Sequence, residues 1–298
     1  MNMVKKIQDF IFRIYRIAGR SMVKYSANPR PSSYPYLTGD GLRNRAQHIF
    51  DKTGKKLSAE SVKSGDVIFV GDELIWNFFK DVHPRINSQY ILITHNGDTA
   101  VGPDLAAKID GKIIKWFGIN VSVNHPKITP LPIGMANKHY YVTGIPWIFD
   151  RARKRHYHKK DRILYGFTTA TNFGERQKAL EILRKNRLAE TPPPNSNPFK
   201  YVHLLAKYKF VASPPGHGID CHRTWEALYE GVVPIVKRSA GMEYFRRLGI
   251  PMWIIDDWVE LDKETEASLR EKYQSLVAKA NWEAIYSKYW EKMIWGIL

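Results

Sequence analysis

Apolar residues in this chain gather into short unbroken runs that end on Gly, Asp or Asn and give way to amphipathic stretches. Residues 67–70 (VIFV) close on Gly71-Asp72-Glu73, and residues 74–79 begin a helix. Residues 90–94 repeat the arrangement and close on His95-Asn96-Gly97-Asp98. Runs this short, bounded by turn residues, read as strands buried on both faces of a parallel sheet. The same reasoning predicts a strand over 36–38 ending at Gly39-Asp40-Gly41, then a helix over 42–50. Strands over 113–123 and 128–135 complete a first half, with Pro130 and Pro132 marking the last as an edge or as the exit toward the hinge. A second half follows: a strand over 163–167, a helix over 175–187, then strands over 210–212, 232–236 and 252–255. Beyond these lie a polar helix over 262–279 and a terminal helix with Trp282, Tyr286, Tyr289, Trp290 and Met293 on one face. The expected fold is α/β, with two Rossmann-like domains. Parallel strands bring their carboxyl ends to one rim, which in the first half gathers Asp40, Asp72, His95 and Asp98.

The segment 210–236, FVASPPGHGIDCHRTWEALYEGVVPIV, carries the most chemistry. Pro214 and Pro215 lack the N–H that would continue the strand, so a loop must follow. Gly216 and Gly218 let a ligand approach the main chain, and Asp220 stands where a helix cap belongs. Trp225, Leu228 and Tyr229 then recur at helical spacing. Arg223 and Glu226, three apart, share a face. A guanidinium in the first turn suits an anion already favoured by the helix dipole, and a carboxylate one turn on suits a ribose diol. The competing reading is a surface ion pair of about 0.2–0.5 kcal/mol. Arg176, in the first turn of the 175–187 helix, occupies a second phosphate-favouring position.

Length changes the picture little: 298 residues fit two domains. Four segments are expected, 1–31, 32–155, 156–280 and 281–298, with the basic run RARKRHYHKKD near the central boundary. Charge changes it more. The net charge is +17, and six cations (Lys5, Lys6, Arg13, Arg16, Arg20, Lys24) crowd the first segment against Asp9. Ile7, Phe10, Ile11, Ile14, Ile17 and Ala18 recur among them at helical spacing. That pattern predicts a basic amphipathic helix, either lying on an anionic membrane face or packed on its own domain. Arg13 and Arg16 interrupt the apolar run, which excludes a membrane span. No nucleic-acid-binding module accompanies the charge, so a nucleic-acid partner is not expected. The single cysteine, Cys221, excludes an internal disulfide. With no D-x-D, C-x-x-C or H-E-x-x-H element, no metal site is expected.

The run SPPGHGIDCHRTWEALYEGVVPIV resembles the C-terminal signature of exostosin-type glycosyltransferases and their bacterial and viral relatives. YPYLTGD, ILITHNGD and HPKITPLPIGMAN resemble further stretches of such proteins, so the likeness spans most of 34–240. It implies a GT-B fold whose two domains face each other across a cleft. It also implies metal-independent, inverting transfer of a sugar from a nucleotide-sugar to a saccharide or lipid-linked saccharide acceptor. Such a reaction belongs to surface glycan assembly at the cytoplasmic, inner face of a membrane, with the terminal helix bracing the first domain. On that footing the donor would meet Asn172, Arg176, Ser213, Gly216, His217, Gly218, Asp220, His222, Arg223 and Glu226. A general base would come from the opposite rim, with Asp40 first, then His95 and Asp98. His125, His139, His156 and His158 show no partner spacing and are assigned turn or solvent roles. The alternative is a non-catalytic carbohydrate- or nucleotide-binding protein with a degenerate site.

Overall fold

The computed structural model describes residues 3–25, 28–53, 57–141, 144–193 and 197–296. Strands β1 (His48–Phe50), β2 (Val67–Gly71), β3 (Tyr90–His95), β4 (Ile113–Gly118) and β5 (Ile128–Pro130) form a wholly parallel sheet. Its order follows the chain, β1-β2-β3-β4-β5. Strands β6 (Lys160–Leu164), β7 (Ala189–Glu190), β8 (Tyr208–Ala212), β9 (Val233–Lys237) and β10 (Trp253–Ile255) form a second parallel sheet, ordered β10-β9-β8-β6-β7. Two such α/β units with their carboxyl rims in contact make the GT-B architecture.

Both faces of each sheet are covered, which explains the unbroken apolar runs. Val67, Phe69, Ile91 and Ile93 enter one core cluster, whereas Ile68, Val70 and Leu92 enter another on the opposite face. The first cluster continues through Ile148 and Phe149 of the Pro146–Arg153 helix to Trp225, Phe245 and Trp290, so the halves share a core. The chain end returns to the first half: Ser287 N–H donates to Pro35 O at 3.0 Å and its hydroxyl to Tyr36 O at 2.8 Å. Arg45 pairs with Glu291 at 2.9 Å.

The sheets differ in winding. The first advances in one direction. The second reverses, because β7 lies on one side of β6 while β8, β9 and β10 lie on the other. Such a reversal leaves a crevice outside the strand ends, where ligands of open α/β sheets bind. Here the reversal falls between β6 and β8.

Several expected elements are corrected. The helix expected over 42–50 is α2 (Gly39–Arg45) followed by β1, since three residues of strand show too little pattern to separate from a helix tail. The strand expected over 36–38 is extended chain with one antiparallel bridge, Tyr36 to Tyr286. The strands expected over 113–123 and 128–135 stop at Gly118 and Pro130. The helix Ala240–Arg247 went unpredicted.

Candidate active site

On the second half, the β8 loop is held by a buried guanidinium. Arg176, in the first turn of the Phe173–Lys185 helix, donates to Pro215 O at 2.8 Å, Thr168 O at 2.9 Å and Pro214 O at 3.3 Å. Asn172 caps that helix and reaches Gly216 O at 3.2 Å. Both residues therefore position the glycine loop, binding its carbonyls. Arg223 lies in the first turn of the His222–Tyr229 helix and donates to Gly166 O at 2.7 Å. Its Nε has no hydrogen-bond partner, and neither has the buried Thr171 Oγ1. The two guanidinium groups each lie 5.9 Å from the ring centre of Phe167, in the loop after β6. Burial and then the Arg223 charge depress the Arg176 pKa below its usual value. Two guanidinium groups thus lie beside one aromatic ring next to the point where the sheet reverses. Glu226 is buried in the same helix, and Ser213 meets Thr224 at 2.9 Å.

Asp220 does not cap the helix as expected; Cys221 holds that position, without a side-chain bond. Asp220 is instead a buried latch between the halves. Its carboxylate accepts from Ile133 N at 2.9 Å, Trp225 Nε1 at 2.7 Å and Cys221 N at 2.8 Å. Its own N–H donates to Asn120 Oδ1 at 3.0 Å. Burial pushes its pKa up to about 7 against the pull of these donors. His222 Nδ1 lies 2.8 Å from Gly134 O, closing the same seam. The Cys221 thiol lies 3.5 Å from Pro214 O and burial raises its pKa, which removes the reactivity a helix start would confer. His217 is exposed on the loop tip, 3.7 Å from exposed Asp98 of the facing rim. Gly216 and Gly218 bond within the loop, N–H to O at 3.0 Å.

On the first half, Thr38 caps α2 and sets Asp40 in its first turn. Asp40 is wholly buried. Oδ1 accepts from Arg30 Nε at 2.8 Å and Asn96 Nδ2 at 3.3 Å, while Oδ2 meets His139 Nδ1 at 2.6 Å. Asn137 links the set, accepting from Asp40 N at 2.9 Å and donating to Asn96 Oδ1 at 2.8 Å. A neutral His139 that donates Nδ1–H to this carboxylate carries its lone pair on Nε2. No local pattern pointed to His139; its partner lies 99 residues away.

His95 is engaged differently. Nδ1 accepts from Asn96 N at 2.8 Å and Nε2 meets Pro132 O at 3.2 Å, which fixes the proton on Nε2. Burial holds its pKa at about 4, so the ring is neutral and both nitrogens are occupied. Beside Asp40, a cavity of about 600 Å³ is lined by Arg30, Asp51, Glu73, Asn96, Asp98 and Tyr140. Tyr140 also contacts His139, with ring centres 4.0 Å apart and the planes tilted by 43°. The chain from Ile133 to His139 connects the latch to this network. Gly134 within it has φ +67°, and a Cβ there would sit 2.2 Å from Leu37 O. Among the described residues no group of three or more His, Cys, Asp or Glu side chains could hold a metal.

No family model matches the chain, and no curated protein matches it. The exostosin likeness therefore rests on the motif residues alone. Among solved structures the chain is similar to an alpha,alpha-trehalose 6-phosphate synthase from Burkholderia multivorans, at 8% identity and a TM-score of 0.43, covering 80% of this chain and 72% of that one. It is also similar to OtsA in its apo form, at 9% identity and a TM-score of 0.41, covering 78% and 73%. These scores are too low to carry an argument about function.

Proposed function

We propose that this protein is a metal-independent glycosyltransferase that uses a nucleotide-sugar donor. The carrying observation is that Arg176 and Arg223 both lie beside Phe167, in the loop at the point where the second sheet reverses. Two like charges beside one aromatic ring favour a polyanion there, and a diphosphate supplies one. Arg223 Nε and Thr171 Oγ1 are donors left for it, and the carboxylate of Glu226 suits the ribose.

The acceptor, a saccharide hydroxyl, belongs in the cavity of the first half, whose mixed cationic, anionic and amide lining suits a polyol. His139 Nε2 takes the proton of the attacking hydroxyl as the diphosphate leaves, and Asp40 orients the ring and stabilises the imidazolium. Attack from the face opposite the leaving group inverts the anomeric carbon. Asp40 thus moves from base to orienting carboxylate, because its buried oxygens have no room for substrate. His95 keeps only a positioning role, and Asp98 serves the rim.

A second reading, a binding protein with a degenerate site, is favoured by one observation: the bonds of Arg176 all go to the protein's own loop carbonyls and Cys221. Incubation with UDP-, GDP- and CMP-sugars and saccharide acceptors, followed by assay of released nucleotide, divides the two. Release that falls by about 10²–10⁴-fold in His139→Ala supports transfer. Tight nucleotide binding with no release across the panel supports the second reading.

A further inference from the structure

The helix α1 (Met3–Lys24) presents two unlike faces. Its inner face is bonded to the first half. Tyr15 OH meets Tyr141 OH at 3.0 Å and accepts from Trp147 Nε1 at 2.8 Å, and Arg20 Nε donates to Tyr140 O at 2.6 Å. A Cβ at Gly19 would lie 2.1 Å from the Tyr141 ring, so glycine permits this close packing. The outer face is apolar and uncovered: Phe10, Ile14 and Ile17 are 63%, 51% and 59% exposed. They stand at i, i+4 and i+7, forming one stripe. Exposed Arg13 and Lys24, at i and i+11, run along one side of it.

We infer that this face is a docking surface for an anionic lipid bilayer. An apolar stripe edged by cations matches a bilayer interface, where the stripe enters the acyl boundary and the cations meet headgroup phosphates. A second copy of the chain fits worse, because α1 carries six cations against one acid and would repel its twin. No helix among the described residues is long and apolar enough to cross a membrane, so α1 lies on the surface. Docking has a geometric consequence. Arg20 grips Tyr140, which lines the rim cavity and contacts His139, so bilayer contact holds that cavity beside the lipid plane. A lipid-borne acceptor follows from this only through the function proposed above; the docking does not depend on it.

Flotation of the full chain with vesicles of 30% phosphatidylglycerol in phosphatidylcholine, against phosphatidylcholine alone, tests the inference. Binding is expected to the anionic vesicles only. Substituting Gln for Arg13 and Lys24 should weaken it about thirtyfold. Substituting Ser for Phe10, Ile14 and Ile17 should weaken it roughly tenfold or more, with circular dichroism unchanged because these side chains are exposed. Absence of the full chain from the floated fraction would overturn the inference. So would equal flotation of the serine variant, or a concentration-dependent dimer that the serine variant abolishes while vesicle binding persists.

Discussion

The two halves of this protein share a sheet type and a strand count but differ in winding, and the difference assigns their tasks. The second sheet reverses between β6 and β8, and Arg176 and Arg223 both lie beside Phe167 in the loop after β6. The first sheet never reverses, so its rim has no crevice of that origin. It carries instead a buried hydrogen-bond network that joins His139 to Asp40, Asn96 and Asn137, of which Asn96 also lines a cavity. On the function proposed above, strand order would supply the anion seat and long-range side-chain pairing the base. The segment Ile133–His139 and the Asp220 latch hold the two in register.

The largest expected effect sharpens this division. His139→Ala should lower kcat about 10²–10⁴-fold and leave nucleotide affinity unchanged, by turnover assay and calorimetry. An equal loss of nucleotide affinity would place both tasks in one half. Arg176→Met should act through structure, because it strands three loop carbonyls. A loss of about 3 kcal/mol in urea unfolding, with weakened nucleotide binding, is expected.

Gly134→Ala probes the connection itself. The positive φ and the clash with Leu37 O predict a loss of about 2–3 kcal/mol, read by the same unfolding measurement. The smallest effect is on pH dependence. A carboxyl whose folded pKa is raised stabilises fully below its unfolded value near 4 and loses that contribution as pH climbs through the folded value. For Asp220 the window runs from about 4 to about 7. Buried Asp72 and Glu230, raised to about 7 and about 8, add to the same slope. Asp220→Asn should therefore lessen the fall in unfolding free energy between pH 4 and 8, by on the order of 4 kcal/mol, without abolishing it.

What was legible in the sequence follows the same division. β2, β3, β8 and β9 were visible because strands covered on both faces leave unbroken apolar runs. β1 and β7, at three and two residues, leave no such trace. The glycine loop and both arginines could be read locally, since loop and helix start adjoin in the chain. Their bonding could not: the carbonyls that Arg176 binds at Pro214 and Pro215 lie 38 and 39 residues away. Nor could strand order, which no local pattern encodes, and so the reversal crevice stayed hidden. His139 carried no signal, because a histidine in a turn becomes a candidate base only when folding brings Asp40 to it.

The central claim is that the reversal crevice of the second half seats a nucleotide diphosphate. Calorimetric titration of nucleoside diphosphates into the parent, Arg223→Ala and His139→Ala tests it most directly. The account predicts that Arg223→Ala loses at least about tenfold in affinity, the worth of one charge-assisted bond, while His139→Ala binds like the parent. Parent-like affinity in Arg223→Ala, or loss confined to His139→Ala, would contradict it.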